Sequence, residues 1–194
     1  DWIVRRFAAA GKSIELDAAQ RLIFISGELM SRLIPEIDKI AAYAKGERVT
    51  VKDVDAVASH IPEAVIFEMT ELISQKKYNS AMSVLAELLS DKNNEPIAMT
   101  AMLGLQMRKL YAARLAIEQE LGSKYVMEVC AIKYDYIASK LMAAARGFTL
   151  PQLIRAVELC GEADYRMKSS GQDARELLKE AVARIAAGES KCTA

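Results

Sequence analysis

The stretch from Pro96 to Leu121 (PIAMTAMLGLQMRKLYAARLAIEQEL) constrains the fold more than any other part of the chain. It has no proline after its first residue, so a single helix of roughly 26 residues would be about 39 Å long. Between Ile97 and Met107 only Thr100, Gln106 and Gly104 interrupt the apolar sequence. A helix that is apolar on every side has no face for solvent and must be enclosed by other helices. The stretch therefore predicts a helical bundle built around this helix.

The rest of the chain also follows helical periodicity. Apolar residues recur every three or four positions in ten further segments, and we see no convincing strand pattern. Asp17, Ser31, Thr50 and Thr149 are the residues expected to cap helices, and Pro35 is expected in a first turn, where its missing N–H costs little. The fold class predicted is all-α. The polar stretch Ser59–Glu63 (SHIPE) breaks the pattern and divides the chain into residues 1–60 and residues 61–194.

Composition indicates a globular protein without a dominant charge. Hydrophobic residues make up 52% of the 194 residues and charged residues 27%, which is not the composition of a disordered chain. Lys and Arg number 26, as do Asp and Glu. Gripping a nucleic-acid backbone draws on clustered, uncompensated cations. The balance argues against that as the main function, although it does not exclude a local basic patch.

Cysteine usage and hydropathy bear on the compartment. The chain has three cysteines, Cys130, Cys160 and Cys192, and no Cys-x-x-Cys motif. An odd number of cysteines without such a motif is typical of a reduced, intracellular protein and argues against a zinc site. No apolar run is long enough to cross a bilayer, and the N-terminus lacks a signal-peptide pattern. We therefore expect a cytoplasmic protein with no membrane partner. Because the first residue is Asp1 rather than Met, we also expect that domains upstream are missing.

No catalytic, cofactor or metal site is predicted. Gly11-Lys12-Ser13 resembles the end of a phosphate-binding loop, but Arg6 stands where that loop needs another glycine, and a helix rather than a strand precedes it. Gly11 is better read as a helix-ending residue followed by solvated residues. His60 is the only histidine and has no nucleophile or carboxylate at a meaningful spacing.

Asp164 and Lys168 form the one polar pair whose position is informative. The apolar stripe of their helix is expected to comprise Leu150, Leu153, Ile154, Val157, Cys160 and Gly161. A further helical step places Asp164 on or beside that stripe, with Lys168 in reach four residues later. A partly buried carboxylate needs a cation or hydrogen-bond donors. Either an internal salt bridge or a polar cluster at a subunit contact would meet that need.

A resemblance to a known family rests on several short matches in order along the chain. Glu162-Ala-Asp164-Tyr-Arg-Met-Lys168-Ser-Ser-Gly171, followed by Asp173 and Leu177-Leu178, resembles the acidic segment and last helix of the delta subunit of bacterial DNA polymerase III, part of the clamp loader. The other matching segments are Glu36–Ile40, Val49–Val54, Val65–Met69, Pro96-Ile97, Leu103–Leu110 with Gln106 and Arg108, and Arg146–Thr149 with Leu153. One departure is Ser170, which stretches the Lys-Ser/Thr-Gly spacing by one residue.

The resemblance implies a fold and a function. Residues 1–60 would be the small helical lid of an AAA+ module, and residues 61–194 a larger helical-bundle collar that joins loader subunits in a ring. Such a fragment would be non-catalytic and would need no cofactor. It would contact gamma/tau and delta-prime collars, with Asp164, Lys168, Arg108 and Gln106 as structural or interface candidates. The sliding clamp would be bound only by the missing N-terminal domain, and primed DNA only indirectly or weakly.

Two other function classes remain open at this point. A generic α-helical scaffold or adaptor would also be all-α, although no repeat of fixed period is detectable. A titrating carboxylate with a strongly raised pKa in an enclosed pocket would favour the second class, an all-α enzyme with an unrecognised site.

Overall fold

The computed structural model describes residues 1–188, which form eleven helices and two short strands. These residues are 74% helical and 2% strand, so the all-α prediction is confirmed. In chain order the elements are α1 (Trp2–Ala9), β1 (Ser13–Ile14), α2 (Leu16–Ser26), α3 (Met30–Tyr43), β2 (Arg48–Val49), α4 (Val51–Val57), α5 (Pro62–Ser74), α6 (Tyr78–Ser90), α7 (Pro96–Glu118), α8 (Ser123–Val129), α9 (Asp135–Ala145), α10 (Leu150–Ser169) and α11 (Ala174–Ala186).

The two strands correct the expectation that the chain contains none. Ser13 pairs with Arg48 and Ile14 with Val49, in parallel. Each strand is two residues long, which is too short to produce an alternating pattern in the sequence. The pairing joins the linker after α1 to the linker after α3, so it arises from tertiary contact rather than from local preference.

The chain divides into two compact units, one ending at Ala64 and the other beginning at Val65. Each unit has fully buried side chains of its own. Those of the first unit are Phe7, Leu22, Ile25, Ile37 and Ile40, and those of the second include Met69, Leu85, Met99, Leu103, Met107, Leu110 and Leu141. The junction lies close to the predicted boundary at residues 60 and 61, while the assignment of the parts as lid and collar stays a prediction.

Two of the four predicted helix caps are present. Asp53 accepts hydrogen bonds from the Thr50 backbone N–H at 2.8 Å and the Thr50 hydroxyl at 2.7 Å. These bonds stabilise the carboxylate and lower the pKa of Asp53. At the start of α10, Gln152 accepts from the Thr149 N–H at 2.9 Å. Both helices therefore begin with the reciprocal capping box that their sequences indicate.

The predictions of the other two caps, Asp17 and Ser31, are wrong. α2 begins at Leu16, so Asp17 lies inside its first turn, and α3 begins at Met30, so Ser31 lies inside the next helix. Pro35 is consequently the sixth residue of α3 and not part of its first turn. A proline at that position removes a backbone hydrogen bond that the helix would otherwise make.

Gly11 ends α1 as expected, with a positive φ of 73° that favours glycine. Lys12 differs from its expected solvated state, because its ammonium group donates to the carbonyl oxygens of Ala44 and Gly46, each at 2.7 Å. The lysine thereby satisfies backbone acceptors that follow α3. Its role in the first unit is structural.

Candidate interaction surface

Helices α7 and α10 pack closely and run antiparallel. The Thr100 hydroxyl lies 3.5 Å from the Met167 sulfur, and a Cβ placed on Gly104 would lie 3.4 Å from the Cβ of Cys160. Residue numbers thus rise along one helix as they fall along the other. A methyl group at Gly104 would therefore be in ordinary van der Waals contact with α10.

One side of α7 is exposed although it is apolar. Leu105 is 48% exposed and Ile97 40% exposed, and Ala98, Ala101 and Arg108 lie on the same exposed side. The prediction that neighbouring helices enclose the first half of this helix is therefore wrong. Its other sides do form the core of the second unit through Met99, Leu103, Met107 and Leu110.

Helix α10 is likewise covered on one side only. The predicted apolar stripe mixes two sides: Leu153 and Cys160 are buried, whereas Ile154 is 48% exposed. Its buried side continues through Ala156, Leu159, Ala163 and Met167. Leu159 and Ala163 face Leu177 and Ala181 of α11. The exposed side carries Ile154, Gly161 and Tyr165, the last of which is 72% exposed.

The exposed sides of the two helices point in the same direction. The contacts of Thr100 with Met167 and of Gly104 with Cys160 show which side of each helix faces the other helix. Counting about 3.6 residues per turn from these contacts places the exposed residues of both helices on the side away from α11. We call this continuous surface the α7–α10 face. It consists of Ile97, Ala98, Ala101, Leu105 and Arg108 on α7 and Ile154, Gly161, Asp164, Tyr165 and Lys168 on α10.

Three of the four predicted candidates lie on this face. Lys168 donates to Asp164 at 2.7 Å, with 57% and 35% of the two side chains exposed. A solvated pair of this kind stabilises a helix by only about 0.3–0.5 kcal/mol. Arg108 is exposed on α7. It lies about two turns beyond Thr100, a distance of about 12 Å along the helix axis. The part that these three residues play in binding a partner stays a prediction.

The fourth candidate, Gln106, points into the core and away from the face. It is 8% exposed, and its side-chain amide donates to the Thr70 hydroxyl at 3.2 Å. The Thr70 hydroxyl in turn donates to the carbonyl oxygen of Phe67 at 2.8 Å. Gln106 is therefore a structural residue that links α7 to α5.

Ion pairs attach α11 to α10 on the covered side. Arg166 donates to Glu180 at 2.9 Å, and Arg184 lies 3.7 Å from both Glu162 and Glu180. Arg155 donates to Glu162 at 2.7 Å. This bond, together with that from Arg155 to Glu158, raises the pKa of the guanidinium. Arg155, Glu162 and Arg166 of α10 thus lie toward the α11 boundary, while Asp164 and Lys168 lie beside the apolar side chains of the α7–α10 face.

The sequence did not identify the most exposed apolar residues of this face. Leu105 and Tyr165 recur at helical spacing with other apolar residues, and that spacing is the same whether the residues face the core or a partner. A signal was nevertheless present, because a helix that is apolar all round needs cover on every side. The second unit supplies that cover only in part.

The cysteines of the described region are buried. Cys160 is 4% exposed and Cys130 9% exposed. Burial raises the pKa of Cys160 to about 12 and also raises the pKa of Cys130, so both thiols stay protonated and unreactive near neutral pH. Cys192 lies outside the described residues, as does the tail from Glu189 onward, for which the sequence predicts a frayed end.

Within residues 1–188, no group of three or more His, Cys, Asp or Glu side chains is placed to hold a metal ion. None of the helices described there is both long enough and apolar enough to span a membrane.

Comparisons with known proteins agree on one family. The chain is 26% identical over 180 residues to DNA polymerase III subunit delta of Bacillus subtilis (strain 168) and, at the same identity and length, to probable DNA polymerase III subunit delta of Aquifex aeolicus (strain VF5). Each alignment covers 92% of this chain and 51% of the relative, so the chain spans about half the length of these relatives.

A solved structure shows the same fold. The Bacillus subtilis DNA clamp loader delta protein superposes with a TM-score of 0.76 at 25% identity, covering 96% of this chain and 55% of that protein. The family model of the DNA polymerase III delta subunit, C-terminal domain, matches residues 63–185, more than half of the chain. The chain therefore belongs to the DNA polymerase III delta subunit family, and its second unit corresponds to the C-terminal domain of that family.

Proposed function

We propose that this chain is an assembly module of a bacterial clamp loader. Residues 1–60 act as the helical lid of an AAA+ module, and residues 61–194 act as the collar that holds the subunit in a pentameric ring. The module performs no chemistry itself. It works in the cytoplasm, where the assembled loader places the sliding clamp on primed DNA during replication.

The α7–α10 face is the observation that carries this proposal. Exposed Leu105, Ile154 and Tyr165 lie together on one side of two packed helices. Contiguous exposed apolar surface of this kind marks protein–protein contacts. Small residues on the same face, Ala101 and Gly161, leave room for a partner helix to approach closely.

The partners we propose are the collars of the gamma/tau and delta-prime subunits. The matched structural relative is a clamp loader delta protein, which supports a place among loader subunits. Contact with the sliding clamp would be made by an N-terminal domain that this chain does not include. Contact with primed DNA would be indirect or weak.

A binding experiment with two matched variants tests the proposal. Gel filtration of the chain mixed with gamma/tau and delta-prime subunits should give a joint peak. Leu105→Glu places a carboxylate on the α7–α10 face and should weaken association at least tenfold, because an unpaired charge is costly in an interface. Val129→Glu on α8 changes a residue of similar exposure, 53% against 48%, and should leave association unchanged.

Circular dichroism of both variants controls for folding, which an exposed substitution should preserve. Separate elution of well-folded partners would contradict the proposal. Equal loss of binding in Leu105→Glu and Val129→Glu would show that the α7–α10 face is not the surface that binds the partners.

A further inference from the structure

A cation lies near the middle of the α7–α10 face. Arg108 is exposed on α7, and its Nη1 atom lies 3.6 Å from the position that a Cβ on Gly104 would occupy. The same position is 3.4 Å from the Cβ of Cys160 on α10. The arginine side chain therefore turns back by about one helical turn along α7, and its guanidinium lies at the line where the two helices meet.

The effect of this charge on the opposite helix agrees with that position. Burial raises the pKa of the Cys160 thiol to about 12, and the positive charge of Arg108 opposes this shift. A charge has such an effect when it lies within about 4–6 Å of the titrating group. The guanidinium therefore acts across the junction between α7 and α10 and does not extend away from it into solvent.

No carboxylate compensates Arg108 within the described residues, where it forms no ion pair. The two acidic residues of α10 nearest the face have other partners. Asp164 pairs with Lys168 at 2.7 Å. Glu158 pairs with Arg155 at 3.0 Å. The α7–α10 face therefore presents a guanidinium whose charge the second unit leaves unbalanced.

The apolar side chains around Arg108 make this charge important for binding. Leu105 on α7 and Ile154 on α10 are both 48% exposed. A partner that covers these side chains also removes water from the guanidinium between them. Removing water from a cation is costly unless an anion takes its place. A partner that binds this face tightly must therefore bring a negative charge to it.

A carboxylate is the negative group that best fits this position. The guanidinium presents its N–H donors as a planar fork, which matches the two oxygens of an Asp or Glu side chain. The exposed apolar residues beside it suit a helix with apolar side chains. Gly161 leaves open space there, since an added Cβ would meet no atom within 4 Å. A partner helix can thus approach closely enough for a short acidic side chain to reach Arg108.

We infer that the collar helix that covers the α7–α10 face carries an Asp or Glu side chain that forms a bidentate ion pair with Arg108. The pairing rests on the proposed function and adds to it the chemistry by which the face selects its partner. An apolar helix without a carboxylate would leave the guanidinium buried and unpaired, and would therefore bind weakly. Arg108 is a specificity-determining residue of this interface.

Isothermal titration calorimetry of the chain with the gamma/tau and delta-prime subunits, each separately, tests the pairing. Arg108→Gln leaves the partner carboxylate buried without its cation and should weaken binding to at least one subunit by about 30-fold or more. Arg108→Lys keeps the charge but loses the fork, so its affinity should lie between those of Arg108→Gln and the unchanged chain. Arg108→Glu should weaken binding to the same subunit further, because two carboxylates would meet.

An exchange of charges identifies the partner residue. Each Asp and Glu on the collar helices of the responding subunit is changed to Lys in turn, and each variant is titrated with the Arg108→Glu chain. One of these changes should restore binding by at least about tenfold, because the pair forms again with its charges exchanged. A purely structural role of Arg108 would give no such rescue.

Arg5 provides the matched control. It is an exposed arginine of α1, outside the α7–α10 face, and it forms no ion pair within the part of the chain that the structure describes. Arg5→Gln and Arg5→Glu should bind as the unchanged chain does. Circular dichroism of all variants checks that the helices are retained, which substitutions at exposed positions should allow.

Three results would overturn the pairing and leave the proposed function intact. In the first, Leu105→Glu weakens association while Arg108→Gln binds both subunits as the unchanged chain does. In the second, the Arg5 variants lose as much affinity as the Arg108 variants. In the third, no substitution in the partner restores binding to Arg108→Glu. Association of the unchanged chain with neither subunit would instead overturn the proposed function, and the pairing with it.

Discussion

At the scale of single residues, two glycines of the second unit occupy opposite environments. Gly147 lies against the backbone of Ser74, which leaves no space for a methyl group. Gly161 lies on the exposed side of α10, where an added Cβ would meet no atom within 4 Å. Packing within the chain requires glycine at position 147, whereas at position 161 it requires none, and Gly161 lowers the stability of the helix that contains it.

We therefore expect alanine at the two positions to have opposite effects. Gly147→Ala should lower the free energy of unfolding by about 1–3 kcal/mol, because the turn between α9 and α10 would have to move away from Ser74 at the end of α5. Gly161→Ala should raise it by about 0.5–1 kcal/mol, because alanine has a higher helix propensity. Urea denaturation followed by circular dichroism measures both. A Gly147→Ala variant as stable as the unchanged chain would contradict the contact between the turns.

At the scale of elements, a buried polar bridge joins α5 to α7. The Gln106 amide donates to Thr70, and Thr70 donates within its own helix to Phe67. Thr70 is fully buried, so the Gln106 amide would have to break a desolvated hydrogen bond if the helices slid past each other. We infer that this bridge specifies the register of α5 on α7.

A double-mutant cycle tests this bridge. Thr70→Val leaves the buried Gln106 amide without its acceptor and should cost about 1–3 kcal/mol of unfolding free energy. Gln106→Leu removes the donor while filling similar space. The double variant should be more stable than the sum of the two single losses indicates, by about 0.5–3 kcal/mol. Additive losses in urea denaturation would show that the two side chains are not coupled.

Elements also differ in how well their sequences describe them. The apolar residues that recur at helical spacing along α11 are all buried: Leu177, Leu178, Ala181, Val182 and Ile185. The α10 stripe was assigned to the wrong side in part, since Ile154 is exposed while Leu159 is buried. α10 carries apolar residues on both its covered and exposed sides, so periodicity alone could not separate them.

At the scale of the whole molecule, each of the two units has its own core. The apolar cluster of the first unit runs from Ile3 to Ala64. The buried residues of the second unit are drawn from α5 to α11. A compact unit with its own core can in principle fold alone.

We expect residues 61–194, expressed separately, to stay helical and to unfold in one cooperative transition. The urea m-value should be lower than that of the intact chain, since less surface is exposed on unfolding. Circular dichroism during urea titration measures both quantities. Loss of helical signal, or a transition without cooperativity, would show that the second unit depends on the first.

The family resemblance, the all-α class and the helix caps at Thr50 and Thr149 could be predicted because they depend on residue type and local spacing. These features are local. They depend on the helical spacing of apolar residues, on a threonine reaching the third residue of its own helix, and on short motifs that occur in the family's order. Tertiary structure alone decided which apolar stripe met another helix and which stayed exposed. It also brought Gly147 against the backbone of Ser74. These outcomes depend on contacts between residues far apart in the chain, because burial is a property of the space around a side chain and not of the side chain itself.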